Sequence, residues 1–171
     1  MSKEKELSGK TKRLRSARLA AVQSLYGMEL AKHSLTRVIG DFAHRGGTAE
    51  LEEQELAADS KLYHDIMRGV EERKVDLDKI LDNVMANRKV ERLEIVMRAI
   101  LRCGAYEIIG RSDIDAPVSI SEYVTIATSF FDGSEPSFVN GVLDKVARTV
   151  SDFDFDADDE ETDEESDPLA E

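Results

Sequence analysis

The most informative stretch of the chain is Leu93 to Ile109, LEIVMRAILRCGAYEII, which is apolar around most of a helical circumference. On a helical period Glu94, Arg98 and Arg102 fall into one narrow stripe at spacings of four; apart from Glu107, the rest is Leu, Ile, Val, Met, Ala, Cys, Gly and Tyr. A surface helix carries an apolar stripe on one side only, so a helix apolar nearly all round is covered by several neighbours. Two arginines and two glutamates within it argue against a membrane span. The segment is therefore expected to be the axle of a helical bundle, with Gly104 allowing another helix to approach closely.

Around this axle the pattern predicts further helices. In TKRLRSARLAAVQSLYGMEL, Leu14, Ala17, Ala21, Leu25 and Met28 recur at spacings of three and four, the period of a long amphipathic helix. A second helix is predicted over about 35–44, closed by Arg45-Gly46-Gly47, while the acid-rich residues 48–58 give no clear signal. A third spans about 57–74. Val75-Asp76 interrupts its pattern, and Asp76 is placed to cap a fourth helix reaching about Met85. After the axle, Pro117 marks the next start, and Ser119 with Glu122 has capping-box spacing. A last helix follows Ser134-Glu135-Pro136 and runs to about Val150, where Gly141 in its interior hints at close packing. The expected fold is all-α, a single domain of about seven helices in two packed small bundles.

Charge changes this picture because it is unevenly spread over a chain whose net charge is −13. Residues 1–18 hold seven Lys or Arg against two Glu, and residues 151–171 hold twelve acids and no base. The organisation expected is a flexible basic arm over 1–12, a helical domain over 13–150 and a disordered acidic tail over 151–171, which has too little apolar content to order itself. One reading of the tail is solubility; the sharper one is that it folds back on the basic head and competes with polyanions.

Lys10, Lys12, Arg13, Arg15 and Arg18 crowd the first turns of the first helix, where cations oppose the helix dipole at a cost of about 0.3–1 kcal/mol each. Something other than helix stability then favours them. Phosphate is the obvious ligand, since arginine presents a planar bidentate fork; a merely solvated helix end is the alternative. At 100° per residue Arg15 and Tyr26 lie close in azimuth, with Val22 between them, so base and aromatic share one side of the rod. The single cysteine, Cys103, sits inside the axle, with no motif bringing His33, His44 or His64 near it as a base, and is expected to be a small core residue. The chain carries no Gly-rich phosphate loop, no GxSxG, no Cys/His cluster and no HExxH. No catalytic residue, metal site or cofactor is therefore expected. The charged first residues do not read as a signal peptide, and a cytoplasmic protein without membrane association is expected.

Three blocks, ARLAAVQSLY at 17–26, RAILRCGAYEI at 98–108 and SFVNGVLDKVAR at 137–148, closely resemble the bacterial transcription antitermination proteins of the NusB family in content, order and separation. The resemblance implies an all-helical fold and a role without catalysis. It implies pairing with the ribosomal protein NusE, binding of the boxA element of single-stranded RNA in ribosomal operon leaders, and loading onto RNA polymerase elongation complexes with other Nus factors. The family's arginine-rich start maps onto Arg15 and Arg18. Leu14 and Ser16 stand where relatives can have arginine, with Lys10, Lys12 and Arg13 compensating from upstream. The family's RNA track implies further contacts at Phe130, Ser134 and Phe138, although core packing competes as the role of both phenylalanines. Ser134 replaces an acid found in some relatives, which would relieve repulsion of phosphate. Tyr26 corresponds to a NusE-facing tyrosine; Met97 stands where some relatives have an acidic contact, implying a more apolar partner surface.

Two other functions fit part of the sequence. A helical protein-interaction module with an incidental basic head would bind no RNA. The RNA-binding portion of a ribosomal RNA cytosine methyltransferase would need a downstream cofactor-binding domain and catalytic cysteines.

Overall fold

The computed structural model describes residues 8–160, without the side chains of 152–160. Six helices form: α1 (Gly9–Ala31), α2 (Leu35–His44), α3 (Ser60–Val84), α4 (Ile95–Gly110), α5 (Ala116–Phe130) and α6 (Glu135–Glu160). Their entries are chemically marked. Ser8, Ser34 and Asp59 each accept a backbone N–H of the first turn of α1, α2 and α3, which satisfies donors that a helix start leaves unpaired.

The axle is α4, which packs against α1, α3, α5 and α6. Ten of its sixteen residues are buried, enough to enclose it on every side but one. Gly104 permits this: a Cβ there would stand 2.6 Å from Leu143 Cδ1 of α6. The α4 polar stripe is not turned to water either. Arg98 pairs with Glu29 of α1, and Arg102 donates from Nε and Nη2 to Asp78 of α3 at 2.8 and 2.9 Å. Cys103 is fully buried, and that burial pushes its thiol well above the ordinary range.

Four expectations are corrected. Ser60–Val84 make one helix where two were expected over 57–85, because Val70 and Leu77 are seven apart, two full turns, and stay on the same buried face; Val75 and Asp76 lie on the outer side. Asp76 therefore caps nothing, and among the described residues the α-helices number six. The predicted box of Ser119 and Glu122 does not form, because α5 begins earlier, with its cap at Asp115, and both side chains face inward. Gly141 is exposed, with nothing within 4 Å of a Cβ, so close packing does not explain it. The last helix continues to Glu160, ten residues past its expected end; residues 161–171 of the expected tail and 1–7 of the expected arm lie outside the described residues.

The ambiguous acid-rich stretch is a β-hairpin, β1 (Thr48–Leu51) paired antiparallel with β2 (Gln54–Ala57), set against α1. Side chains alternate across a hairpin. Ala49, Leu51, Gln54 and Leu56 share one face, and Glu50 opposite Glu55 share the other. Its two-residue turn, Glu52-Glu53, has φ of 50° and 62°, the positive values that a type I′ turn requires and that Asn-Gly supplies most readily. Left-handed backbone costs an ordinary side chain roughly 1–2 kcal/mol. Glu53→Gly is accordingly expected to raise stability by about 0.5–1 kcal/mol, read as a higher denaturation midpoint; an unchanged or lower midpoint would show that the turn is not strained.

Among the described residues no helix is long and apolar enough to cross a membrane.

Candidate nucleic-acid interface

The basic start of α1 divides into two populations. Lys10, Lys12 and Arg13 are exposed, and the side chain of Arg15 is 41% exposed. Arg18 is buried at 4%. One turn deeper along the rod, its Nε donates to both oxygens of Glu107 at 3.1 and 2.9 Å, and its Nη2 donates to Oε1 at 2.9 Å. Glu107 is itself fully buried and also accepts from Ser119 Oγ at 3.2 Å. Burial alone would lower the pKa of Arg18, but the hydrogen bond and charge of Glu107 reverse that and raise it. Burial, then the charge of Glu107, also hold the nearby Tyr123 hydroxyl well above the tyrosine range. The assignment of Arg18 to RNA contact is thus corrected: its guanidinium is committed inside the protein. The sequence signal was Glu107, the one acid on the apolar side of the axle.

Arg15 is held differently. Its Nε donates to both carboxylate oxygens of Glu122 on α5, each at 3.0 Å. Among the described residues its two Nη nitrogens carry no hydrogen bond, so Glu122 anchors the inner edge of the guanidinium and leaves the outer fork free. A fork fixed in this way loses less freedom when it takes up a phosphate than a free lysine does. Glu122, with its side chain only 11% exposed, adds little opposing charge to the surface while Arg15 covers it.

Helix α5 carries the surface onward. From Glu122, the positions Ile126 and Ser129 follow on the same side, and they line a groove with Lys12 and Arg15. Phe130, next to Ser129, is 41% exposed at the helix end. Ser134 is exposed in the turn leading to α6. Phe138, one turn into α6, is half-buried against the core, and the guanidinium of Arg88 stands 4.8 Å from its ring centroid. Of the two roles weighed for Phe138, RNA contact and core packing, the packing is present, and its ring also carries the Arg88 cation. Arg88 and Lys145, exposed at the same cleft of α6, were not singled out from the sequence, because Arg88 lies in a polar link and Lys145 on the polar side of the predicted last helix.

At the opposite end of α1, Tyr26 and Leu30 are one turn apart and 39% and 59% exposed. Val22, expected between Arg15 and Tyr26 on one surface, is fully buried, so base and aromatic belong to separate patches. Met97 is 5% exposed, and its assignment as a partner contact is corrected: it packs in the hydrophobic core. Leu30, off the apolar period of Leu25 and Met28, gave no signal.

The family model described as "NusB family" matches residues 15–148. The transcription antitermination protein NusB of Maricaulis maris is 39% identical over 149 residues, 86% of this chain and 93% of that protein. The solved NusB of T. maritima is 28% identical, with a TM-score of 0.65 over 78% of this chain and 89% of that one. A structure of the antitermination factors NusB and NusE in complex with dsRNA gives a TM-score of 0.66 over 79% of this chain and 96% of that one; at 18% identity it speaks to the fold alone.

Proposed function

We infer that this chain, which belongs to the NusB family of transcription antitermination proteins, works without catalysis as an RNA-binding adaptor that joins NusE, captures boxA RNA and promotes full-length transcription of ribosomal RNA operons. The observation that carries the RNA part is the Arg15 fork, braced from behind by Glu122 and open in front. Lys10, Lys12 and Arg13 add exposed positive charge beside it, Phe130 offers a ring on which an unpaired base can stack, and Ser134 and Phe138 continue the path along the α5–α6 turn. Stacking of this kind contributes about 1–3 kcal/mol per base. Such a surface suits a single strand, whose bases are unstacked and whose phosphates follow the cations.

The separate patch of Tyr26 and Leu30 is the proposed seat for NusE, since an apolar pair exposed on one helix face is better covered by a protein than by RNA. RNA polymerase and the other Nus factors would then be reached through the assembled pair. The acidic C-terminal segment would compete with RNA for the basic head.

The test is a gel shift of boxA RNA against a scrambled RNA, with and without NusE. Preferential shift of boxA, strengthened by NusE and weakening with salt at a log–log slope of about 0.7 per neutralised phosphate, is expected. No shift in either condition would leave a protein-only module.

A further inference from the structure

Between α1, the hairpin and α5 lies a groove of about 290 Å³; the RNA surface described above follows its α5 edge and leaves its hairpin wall without a role. Its floor and walls are Leu19, Leu51, Leu56 and Ile126, and Lys12 and Arg15 stand at its rim. Leu51 is 36% exposed and Leu56 is half-buried, so the leucine face of the hairpin is turned into the groove without being closed over. We propose that this groove is a nucleobase pocket, in which the leucine face of the hairpin takes up one unstacked base of the RNA strand whose phosphate lies on Arg15.

The occupant follows from what adjoins the groove. Arg15 belongs to both surfaces: its free Nη edge and the groove rim are the same group, so a nucleotide held by its phosphate on the fork has its base within reach of the leucines. Ser129 carries the groove wall directly to Phe130, the exposed ring of the proposed track, so two neighbouring bases would have separate seats. Charge agrees with this direction. The alternation of the hairpin directs Glu50 and Glu55 to its other face, and Glu52 and Glu53 at its tip border a different cleft together with Asp41. The one acid in the groove, Glu122, is covered by Arg15. An anion therefore meets two cations at this mouth and none of the hairpin's carboxylates on the leucine face. Apolar walls with a few polar groups among them, here Ser16, Thr125 and Ser129, are what a flipped or splayed base needs, since its faces are desolvated while its edge keeps hydrogen-bond partners and its backbone stays outside.

The inference rests on the RNA-binding reading and goes beyond it by giving the hairpin a role. It is tested with the full chain and NusE, using boxA RNA and a set of copies each lacking one base. The wild-type protein is expected to show a position at which loss of the base weakens binding about tenfold. Leu51→Ala, at an exposed site that leaves the helices intact, is expected to bind intact RNA about tenfold more weakly and to lose its sensitivity at that one position; Leu56→Ala should repeat the pattern. An unchanged base-by-base profile in both variants, with normal unfolding curves, would overturn the pocket while leaving the RNA surface standing. Normal RNA binding with weakened NusE binding would assign the groove to a protein instead. Failure of wild-type protein to bind boxA at all would remove the RNA reading, and the pocket with it.

Discussion

Glu107→Gln is expected to destabilise the protein by about 3–5 kcal/mol, the cost of breaking a buried ion pair by removing one partner. Arg18 and Glu107 are 4% and 0% exposed, and three hydrogen bonds join them. Glutamine keeps the shape and part of the hydrogen bonding but leaves the guanidinium charge without its counter-ion, and arginine does not deprotonate to escape. For a domain of this size the loss corresponds to a fall in Tm on the order of 10 °C. Chemical denaturation at pH 7 checks it, with the slope unchanged and the midpoint lowered. The contrast is the double replacement Arg18→Met with Glu107→Leu, which removes both charges and should restore much of the lost stability. A fall below about 1 kcal/mol for Glu107→Gln would mean that water reaches the pair and that Arg18 is open to other partners.

The second large effect is on RNA. Arg15→Ala is expected to weaken boxA binding by about 10- to 100-fold, consistent with a charge-assisted hydrogen-bonding group contributing roughly 1.5–3 kcal/mol. The salt slope should fall by about 0.7, the share of the one phosphate that Arg15 neutralises. The weakening should exceed that of Lys12→Ala, because removing Arg15 takes away a cation and also uncovers the Glu122 carboxylate behind it. Glu122→Gln in the Arg15→Ala background should therefore recover part of the affinity. Titration of labelled RNA at several salt concentrations reads all three variants; equal weakening by Lys12→Ala and Arg15→Ala, with no recovery, would show that the fork and its brace have no special part. Charge reversal of Arg15 and Arg18 together is a poor probe, since the Arg18 change acts on folding and the Arg15 change on RNA.

Helical periodicity carried most of the architecture. The axle, α1, α5 and α6 each present an apolar pattern long enough to average out single exceptions, and α4 is where the sequence placed it to within two residues. The fold prediction failed where a local signal competed with distant packing. Val75-Asp76 looks like a break only if each turn must show an apolar residue inward; Val70 and Leu77 hold the face without one. The hairpin is too short for strand alternation to stand out, and its Glu-Glu turn lacks the residues that advertise a type I′ turn. At the interface, residue type was informative and exposure was not. Arg15 and Arg18 are three positions apart in one basic run, yet one faces solvent and the other faces Glu107, eighty-nine residues away in sequence. Met97 was misplaced for the same reason, since a methionine on a helix apolar nearly all round gives no sign of which side opens.

A greasy rod such as α4 has many nearly equivalent seats among its neighbours, and hydrophobic burial alone chooses weakly between them. Arg98 toward Glu29, Arg102 toward Asp78 and Glu107 toward Arg18 act as three indexing teeth along it, engaging two different helices. Turning the rod by one residue, or sliding it by one turn, would disengage all three at once and strand charges in oil. The axle is thereby keyed as well as buried, and the outer edge of Arg15, one turn from Arg18 on the same helix, inherits a fixed aim from a lock set deep inside.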